Sequence, residues 1–240
     1  MKRRIDMIPK KIHYVWVGGK EKPRDIQRCM KTWEKHLKDY EIIEWNENNF
    51  DIETHPFVKS AYEAKKWAYV SDYIRAYAIY KEGGIYLDTD VLILDDFEEF
   101  LNHRAFVGYE NPEYPFTAVF GAEKEHPFVK SMLDYYDGKE FEFDSSNQLK
   151  TVNTKSVSEI LVQDYGCELG NKRQTLREGI EVYKEDVLCN PSGNSVSIHV
   201  FTGTWMEGAK PLARKVNKFL KLRVTTKKRA ALFRKYIMNK

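Results

Sequence analysis

The chain predicts an α/β fold with a partly parallel sheet, and three observations predict it. Short β-rich runs alternate with helical periodicities, glycine pairs close two of the elements, and the composition supports a real core. Of 240 residues, 42% are hydrophobic and 14% aromatic, which suits one large domain or one domain with appendages. The first run, Ile12 to Gly19 (IHYVWVGG), reads as a buried strand whose two glycines let backbone approach a ligand. Pro23 then opens a helix in which Ile26, Met30, Trp33 and Leu37 recur at spacings of three and four. Tyr40 to Trp45 is a second strand, ended by the polar turn Asn46 to Asn49, so the chain opens as β-α-β. Val58 to Glu82 carries the longest helical pattern and is expected as one helix stopped by Gly83-Gly84. The strand Ile85 to Leu94 follows directly.

Beyond Phe97 the signals weaken. Arg104 to Tyr109 and Thr117 to Phe120 are strand candidates, His126 to Asp137 reads as a helix with Pro127 near its start, and Ser156 to Tyr165 as another. Glu181 to Leu188 and Val196 to Phe201 complete the set as strands.

Composition also narrows the function. No apolar stretch approaches the roughly 20 residues that span a bilayer, and no apolar segment follows Met1 to Arg4, so a cytosolic protein is expected. Cys29, Cys167 and Cys189 are widely spaced and odd in number, which suits reduced packing residues and neither a disulfide framework nor a zinc knuckle. The net charge of +3 hides an asymmetry: Met1 to Ala209 is about −9, and Lys210 to Lys240 is +12 with no acidic residue. Two units are expected on that basis, 1–209 and a basic amphipathic tail, 210–240. Among the tail's basic residues stand Leu212, Val216, Phe219, Leu220, Val224, Leu232, Phe233 and Ile237, a pattern suited to an anionic membrane surface, with a basic helix packed on the acidic body as the alternative. The acidic body and the absence of a nucleic-acid motif argue against nucleic acid as a partner.

The segment GGIYLDTD, Gly83 to Asp90, poses the chemical question, because it ends an apolar run with two carboxylates one residue apart. If the strand persists, Asp88 and Asp90 project to the same side and offer hard oxygen ligands to one divalent cation. Without a cation the two would repel, and one would tend to stay protonated. Mg²⁺ and Mn²⁺ suit such a pair, since both accept carboxylates together with water and phosphate oxygens. Alone, D-x-D is weak, because aspartates are ordinary turn formers. Asp72 and Arg75 strengthen it: three residues apart on the preceding helix, they can point the same way, towards the same end of the sheet. A buried structural ion pair is the competing reading for those two.

At this point the sequence resembles a known family. AYVSDYIRAYAIYKEGGIYLDTDV, Ala68 to Val91, is similar to the DXD-motif glycosyltransferases, which include yeast-type initiating mannosyltransferases, bacterial capsule-type sugar transferases and the clostridial glucosylating toxins. IPKKIHYVWVGG at Ile8 to Gly19, DYEIIEWNENNF at Asp39 to Phe50 and IHVFTGTW at Ile198 to Trp205 agree with it. The resemblance implies a GT-A fold, a Rossmann-like, mixed and mostly parallel sheet flanked by helices, and transfer from a nucleotide-sugar with retention of anomeric configuration. By that resemblance Trp16 stacks on the base, Asn48 lies near base or ribose, Asp72 and Arg75 bond the donor sugar, and Tyr86 lines the pocket. Asp90 ligates Mn²⁺ or Mg²⁺, Asp88 binds ribose and a metal-bound water, and Trp205 belongs to a segment closing over the diphosphate. The family's second histidine is Val200 here, which leaves His199, Thr204 or water to complete the metal site. A UDP-sugar donor and a glycan acceptor under construction, as in capsule or other surface polysaccharide, follow from the same resemblance. A lipid-linked acceptor would explain a tail that contacts the inner face of the membrane.

Trp16 read as plain core packing and His199 read as a core histidine are the structural alternatives. Three functional alternatives stand beside the transferase: a toxin-like protein glycosyltransferase, a non-catalytic nucleotide- or glycan-binding module, and a haloacid-dehalogenase-type phosphohydrolase. The last is disfavoured because Leu92 occupies the Thr/Val position of its motif.

Overall fold

The computed structural model describes residues 8–142, 153–203 and 212–238. Seven strands form the main sheet: β1 (Lys11–Val15), β2 (Glu41–Trp45), β3 (Gly84–Leu87), β5 (Ala105–Gly108), β6 (Val119–Ala122), β7 (Gln174–Thr175) and β8 (Ile180–Tyr183). Their order is β2-β1-β3-β6-β5-β8-β7. β1, β2, β3, β5 and β8 run one way while β6 and β7 oppose them, so the sheet is mixed and mostly parallel, as expected. Two further strands, β4 (Val91–Ile93) and β9 (Ser197–His199), form a separate antiparallel pair.

The alternation of side chains along each strand builds a layer on either face. On one face Val15, Tyr86, Phe120 and Val182 pack with the helices α2 (Pro56–Glu63), α3 (Trp67–Glu82), α4 (Pro127–Asp134) and α5 (Asn153–Gln163). On the other, Ile12, Tyr14, Ile85, Leu87 and Phe106 meet Trp33 and Leu37 at the end of α1 (Arg24–His36). Each large apolar side chain buried in these layers contributes about 1.5–3 kcal/mol. Helix α1 also fixes β4: the Trp33 indole donates to the Val91 carbonyl at 2.7 Å, and Thr32 Oγ1 accepts from the Ile93 amide at 2.8 Å. All three cysteines are buried and unpaired.

Three sequence expectations change. The helix read over Val58 to Glu82 is two helices, broken at Ala64-Lys65-Lys66, where Lys65 takes φ +57° and its amide bonds the Tyr62 carbonyl. All three residues are good or neutral helix formers, so tertiary packing makes the break. The strand read over Ile85 to Leu94 is β3 and β4, in different sheets, with a turn at residues 88–90 in which the Val91 amide bonds the Asp88 carbonyl at 3.1 Å. Glu181 to Leu188 is β8 followed by a short helix, α6 (Glu185–Leu188).

The C-terminal residues form α7 (Leu212–Lys221) and α8 (Lys227–Phe233). Leu222, Val224, Ala230 and Phe233 bury against Cys29, Leu92, Ile198 and Val200, so this segment packs on the β4–β9 pair. No helix among the described residues is long and apolar enough to cross a membrane.

Candidate active site

The site lies where β3 leaves the main sheet. Gly84 lets that strand start against β1: its φ is +114°, and a Cβ there would stand 2.7 Å from the Lys11 carbonyl oxygen. Next to it His13 locks the corner, its Nε2 bonded to the Gly83 carbonyl at 2.9 Å and its Nδ1 accepting from the Trp45 indole at 2.9 Å. An indole N–H only donates, so Nδ1 carries no proton and the ring is the neutral Nε2–H tautomer. Burial accordingly lowers the His13 pKa to about 4.

From that corner the chain runs through Tyr86 into Asp88 and Asp90. The Tyr86 hydroxyl donates to Asp88 Oδ1 at 3.0 Å, and Arg75 Nη2 reaches the same oxygen at 3.3 Å and Asp72 Oδ1 at 2.8 Å. The Arg75 guanidinium also lies over the Tyr86 ring, 4.9 Å from its centroid. One buried cation thus ties two carboxylates on two elements. Burial pushes the Asp72 carboxyl up, with the Arg75 charge opposing it. Burial would depress Arg75, but Asp88, Tyr86 and Asp72 overcome this and keep it charged.

Asp90 is held by the far end of β9. Its Oδ2 accepts from the Thr202 amide at 2.8 Å and the Thr202 hydroxyl at 2.9 Å, while Oδ1 stands 3.3 Å from His199 Nε2. Burial alone would raise the Asp90 carboxyl, yet His199 and the two Thr202 donors hold it well below the usual carboxylate range. His199 answers in kind: burial would lower its pKa, and Asp90 raises it far above the usual value. Asp88, Asp90 and His199 each offer a ligand atom, all within 4.8 Å of one another. His199 Nδ1 is buried without a hydrogen-bond partner. Two hard carboxylates and the His199 Nε2 that faces them are a donor set that fits a divalent cation, the imidazolium giving up its proton as the cation binds. The pair meets through a turn between two sheets rather than along one continuous strand.

A cavity of about 510 Å³ opens over this cluster. Trp16, Asp72, Arg75, Tyr86, Asp88, Asp90 and His199 all line it, so seven of the residues singled out from the sequence converge. Trp16 is half-buried, its indole donating to the Lys20 carbonyl at 2.6 Å. Behind it Gly18, at φ +87°, presses on Trp67: a Cβ would come within 2.7 Å of that ring. Asn48 does not join the cavity; it is exposed in the turn after β2, its amide bonded to Asn46 Oδ1. Trp205 and Thr204 lie outside the described residues.

Sequence reasoning missed four participants. Thr202 orients Asp90, and Glu110, after β5, lines the cavity as a half-buried carboxyl that burial pushes up. Arg214 on α7 lines the cavity wall. Lys221, also on α7, is 3% exposed and donates to the His199 carbonyl at 2.8 Å. Its ammonium lies 4.6 Å from the Phe201 ring centroid, and that ring in turn packs on His199 at 3.8 Å. Phe201 takes φ +60°, a conformation that a bulky residue keeps only where its surroundings enforce it. Of these four only Thr202 sits beside a recognisable motif.

Part of the chain matches one family model, and several known proteins are similar to it. Residues 23–107 match the model of the glycosyltransferase sugar-binding region containing the DXD motif. Inositol phosphoceramide mannosyltransferase 3 of Schizosaccharomyces pombe is 30% identical over 130 residues, covering 52% of this chain and 36% of that protein. An uncharacterized glycosyltransferase, L373, of Acanthamoeba polyphaga mimivirus is 30% identical over 165 residues, 62% of each chain. The chain therefore spans about a third of the first relative's length and under two thirds of the second's. Among solved structures, the PaToxG glycosyltransferase superposes with a TM-score of 0.49 at 19% identity, over 66% of this chain and 70% of that one. A glycosyltransferase involved in the glycosylation of the major capsid of PBCV-1 gives 0.47 at 12% identity, over 87% and 97%.

Proposed function

We propose, for a chain whose segment 23–107 belongs to the DXD-motif glycosyltransferases and whose enzyme class is therefore glycosyltransferase, that it moves a sugar from a nucleotide-sugar to a glycan acceptor with the help of a divalent cation. The observation that carries the reading is the convergence of Asp88, Asp90 and His199 at the floor of a cavity whose wall holds Trp16, Asp72 and Arg75. Mn²⁺ is favoured over Mg²⁺, because an imidazole nitrogen joins the carboxylates and Mg²⁺ prefers an all-oxygen shell.

In this reading the base stacks on the Trp16 face, a contact worth on the order of 1 kcal/mol beyond area burial. Donor hydroxyls meet Asp72 and the Arg75 fork, which the Asp88–Arg75–Asp72 chain holds rigid before the donor arrives. Thr202 fixes Asp90 and Tyr86 fixes Asp88, so both carboxylates are aimed at the cation before it binds. The bond broken joins the anomeric carbon to the β-phosphate. A cation held here supplies charge stabilisation to the departing diphosphate, the term expected to dominate the barrier. With retention, the acceptor oxygen would bond the anomeric carbon on the face the diphosphate leaves, and its proton would pass to the leaving phosphate oxygen.

UDP is the expected leaving group, and calorimetry of UDP and GDP with and without Mn²⁺ tests the reading. It predicts binding that needs the metal and is lost in Asp88→Asn; metal-independent binding, or none of either nucleotide, would overturn it.

A further inference from the structure

Helix α7 is amphipathic the wrong way round. Arg214, Lys218 and Lys221, spaced four and three apart, turn towards the protein: Arg214 lines the donor-side cavity, Lys218 pairs with Asp25 at 2.7 Å, and Lys221 is buried against the His199 carbonyl. Leu212, Val216 and Phe219, with the same spacing on the opposite side, are 77%, 48% and 53% exposed. A helix held to its domain by apolar contacts would show the reverse. Here charge anchors the helix and the apolar stripe faces out.

Charge says what meets the stripe. Lys215 is exposed and, at 100° per residue, borders that face, while Arg223, in the turn after the helix, is exposed and lays its guanidinium 3.3 Å from the Phe219 ring centroid. Lys210 to Lys240 holds twelve basic and no acidic residues. An apolar stripe bordered by cations matches an anionic lipid surface, where the side chains enter the acyl boundary and the cations meet headgroup phosphates. Alongside the helix a second cavity of about 330 Å³ is lined by Phe201, Arg214, Lys215, Lys218 and Phe219, and it shares Phe201 and Arg214 with the donor-side cavity. The outward face and the metal cluster therefore lie on adjoining walls.

We propose that the outward face of α7 is a docking surface for an anionic bilayer, inserted through Leu212, Val216 and Phe219. The consequence for catalysis rests on the transferase reading: a chain seated this way opens its donor cavity beside the lipid surface, where a lipid-linked glycan would present its acceptor hydroxyl. The docking itself needs no donor or acceptor. Its failure is thus distinguishable from failure of the transferase reading.

The test is co-sedimentation of the full chain with phosphatidylcholine vesicles, with and without phosphatidylglycerol. Binding is expected only with phosphatidylglycerol, weakening as salt rises. The variant Leu212→Ser/Val216→Ser/Phe219→Ser should bind about tenfold or more weakly with an unchanged melting curve, since these side chains are exposed. Lys215→Glu/Arg223→Glu should lose binding as well, and keeps the test readable if the first variant misfolds. Equal sedimentation with neutral and anionic vesicles, or wild-type binding by both variants, would overturn the proposal. So would a dimer in light scattering that the serine variant dissolves, which would make a second copy the occupant of the face.

Discussion

Replacing Thr202 by valine keeps the size of the side chain and removes only its hydroxyl, one of two donors on Asp90 Oδ2. Asp90 is 8% exposed, so water does not readily replace the lost bond. A hydrogen bond to a charged group contributes about 1.5–3 kcal/mol, and that is the expected loss of stability without metal. For a domain of this length it lowers Tm by roughly 3–12 °C. The hydroxyl also aims the carboxylate, and losing such an orienting group typically costs about 10- to 100-fold in metal affinity. Thr202→Ser restores the donor and should recover most of both. Thermal unfolding, with calorimetric titration of Mn²⁺, reads the two effects. A valine variant that melts and binds Mn²⁺ like the wild type would refute the claim that Thr202 holds Asp90 in place.

Three further outcomes follow from the same geometry. The folded chain keeps His13 neutral down to about pH 4 while the unfolded chain takes up its proton near 6.5, so between those values the unfolded state binds more protons. Stability therefore falls as pH falls through that window, by about 3 kcal/mol from this residue; urea unfolding at pH 7 and pH 4 checks it, and His13→Gln should flatten the dependence. Arg75→Met strands Asp72 and Asp88 without their shared cation and should cost about 3–5 kcal/mol, less at acid pH where Asp72 protonates, as chemical denaturation would show. Gly84→Ala meets the Lys11 carbonyl at 2.7 Å with φ at +114°, and should destabilise by about 3 kcal/mol or more in the same assay.

Much of this site was legible in the residues. Asp72, Arg75, Tyr86, Asp88 and Asp90 stand within one short stretch, where helical spacing and a D-x-D pattern state directly which side chains can meet. The route by which Asp88 and Asp90 meet was not legible. Alternation along Ile85 to Leu94 fits one strand, and only pairing of Val91–Ile93 with Ser197–His199, a hundred residues on, makes it two. That partner is a long-range choice that no local pattern encodes. The same holds for the break at Lys65, made from residues that favour helix, and for Glu110 and Lys221, which sit in no motif and reach the site through packing alone. Asn48, which the resemblance sets near base or ribose, is exposed in the turn after β2 and does not line the cavity. Its neighbour Glu47 ties that turn to the loop after β1, accepting from the Gly18 amide at 2.6 Å. The basic, apolar tail was visible in composition. Which of its faces turns outward was not, because the inward salt link to Asp25 and the hydrogen bond to the His199 carbonyl decide it.

The central claim, that Asp90 and a divalent cation activate a nucleotide-sugar in this cavity, is tested most directly by donor turnover. Purified chain is incubated with a panel of UDP- and GDP-sugars, with and without Mn²⁺, and the released nucleotide is measured beside Asp90→Asn. Release from one donor, dependent on the metal and abolished in the variant, is the predicted result; release that persists without metal, or equally in Asp90→Asn, would contradict it.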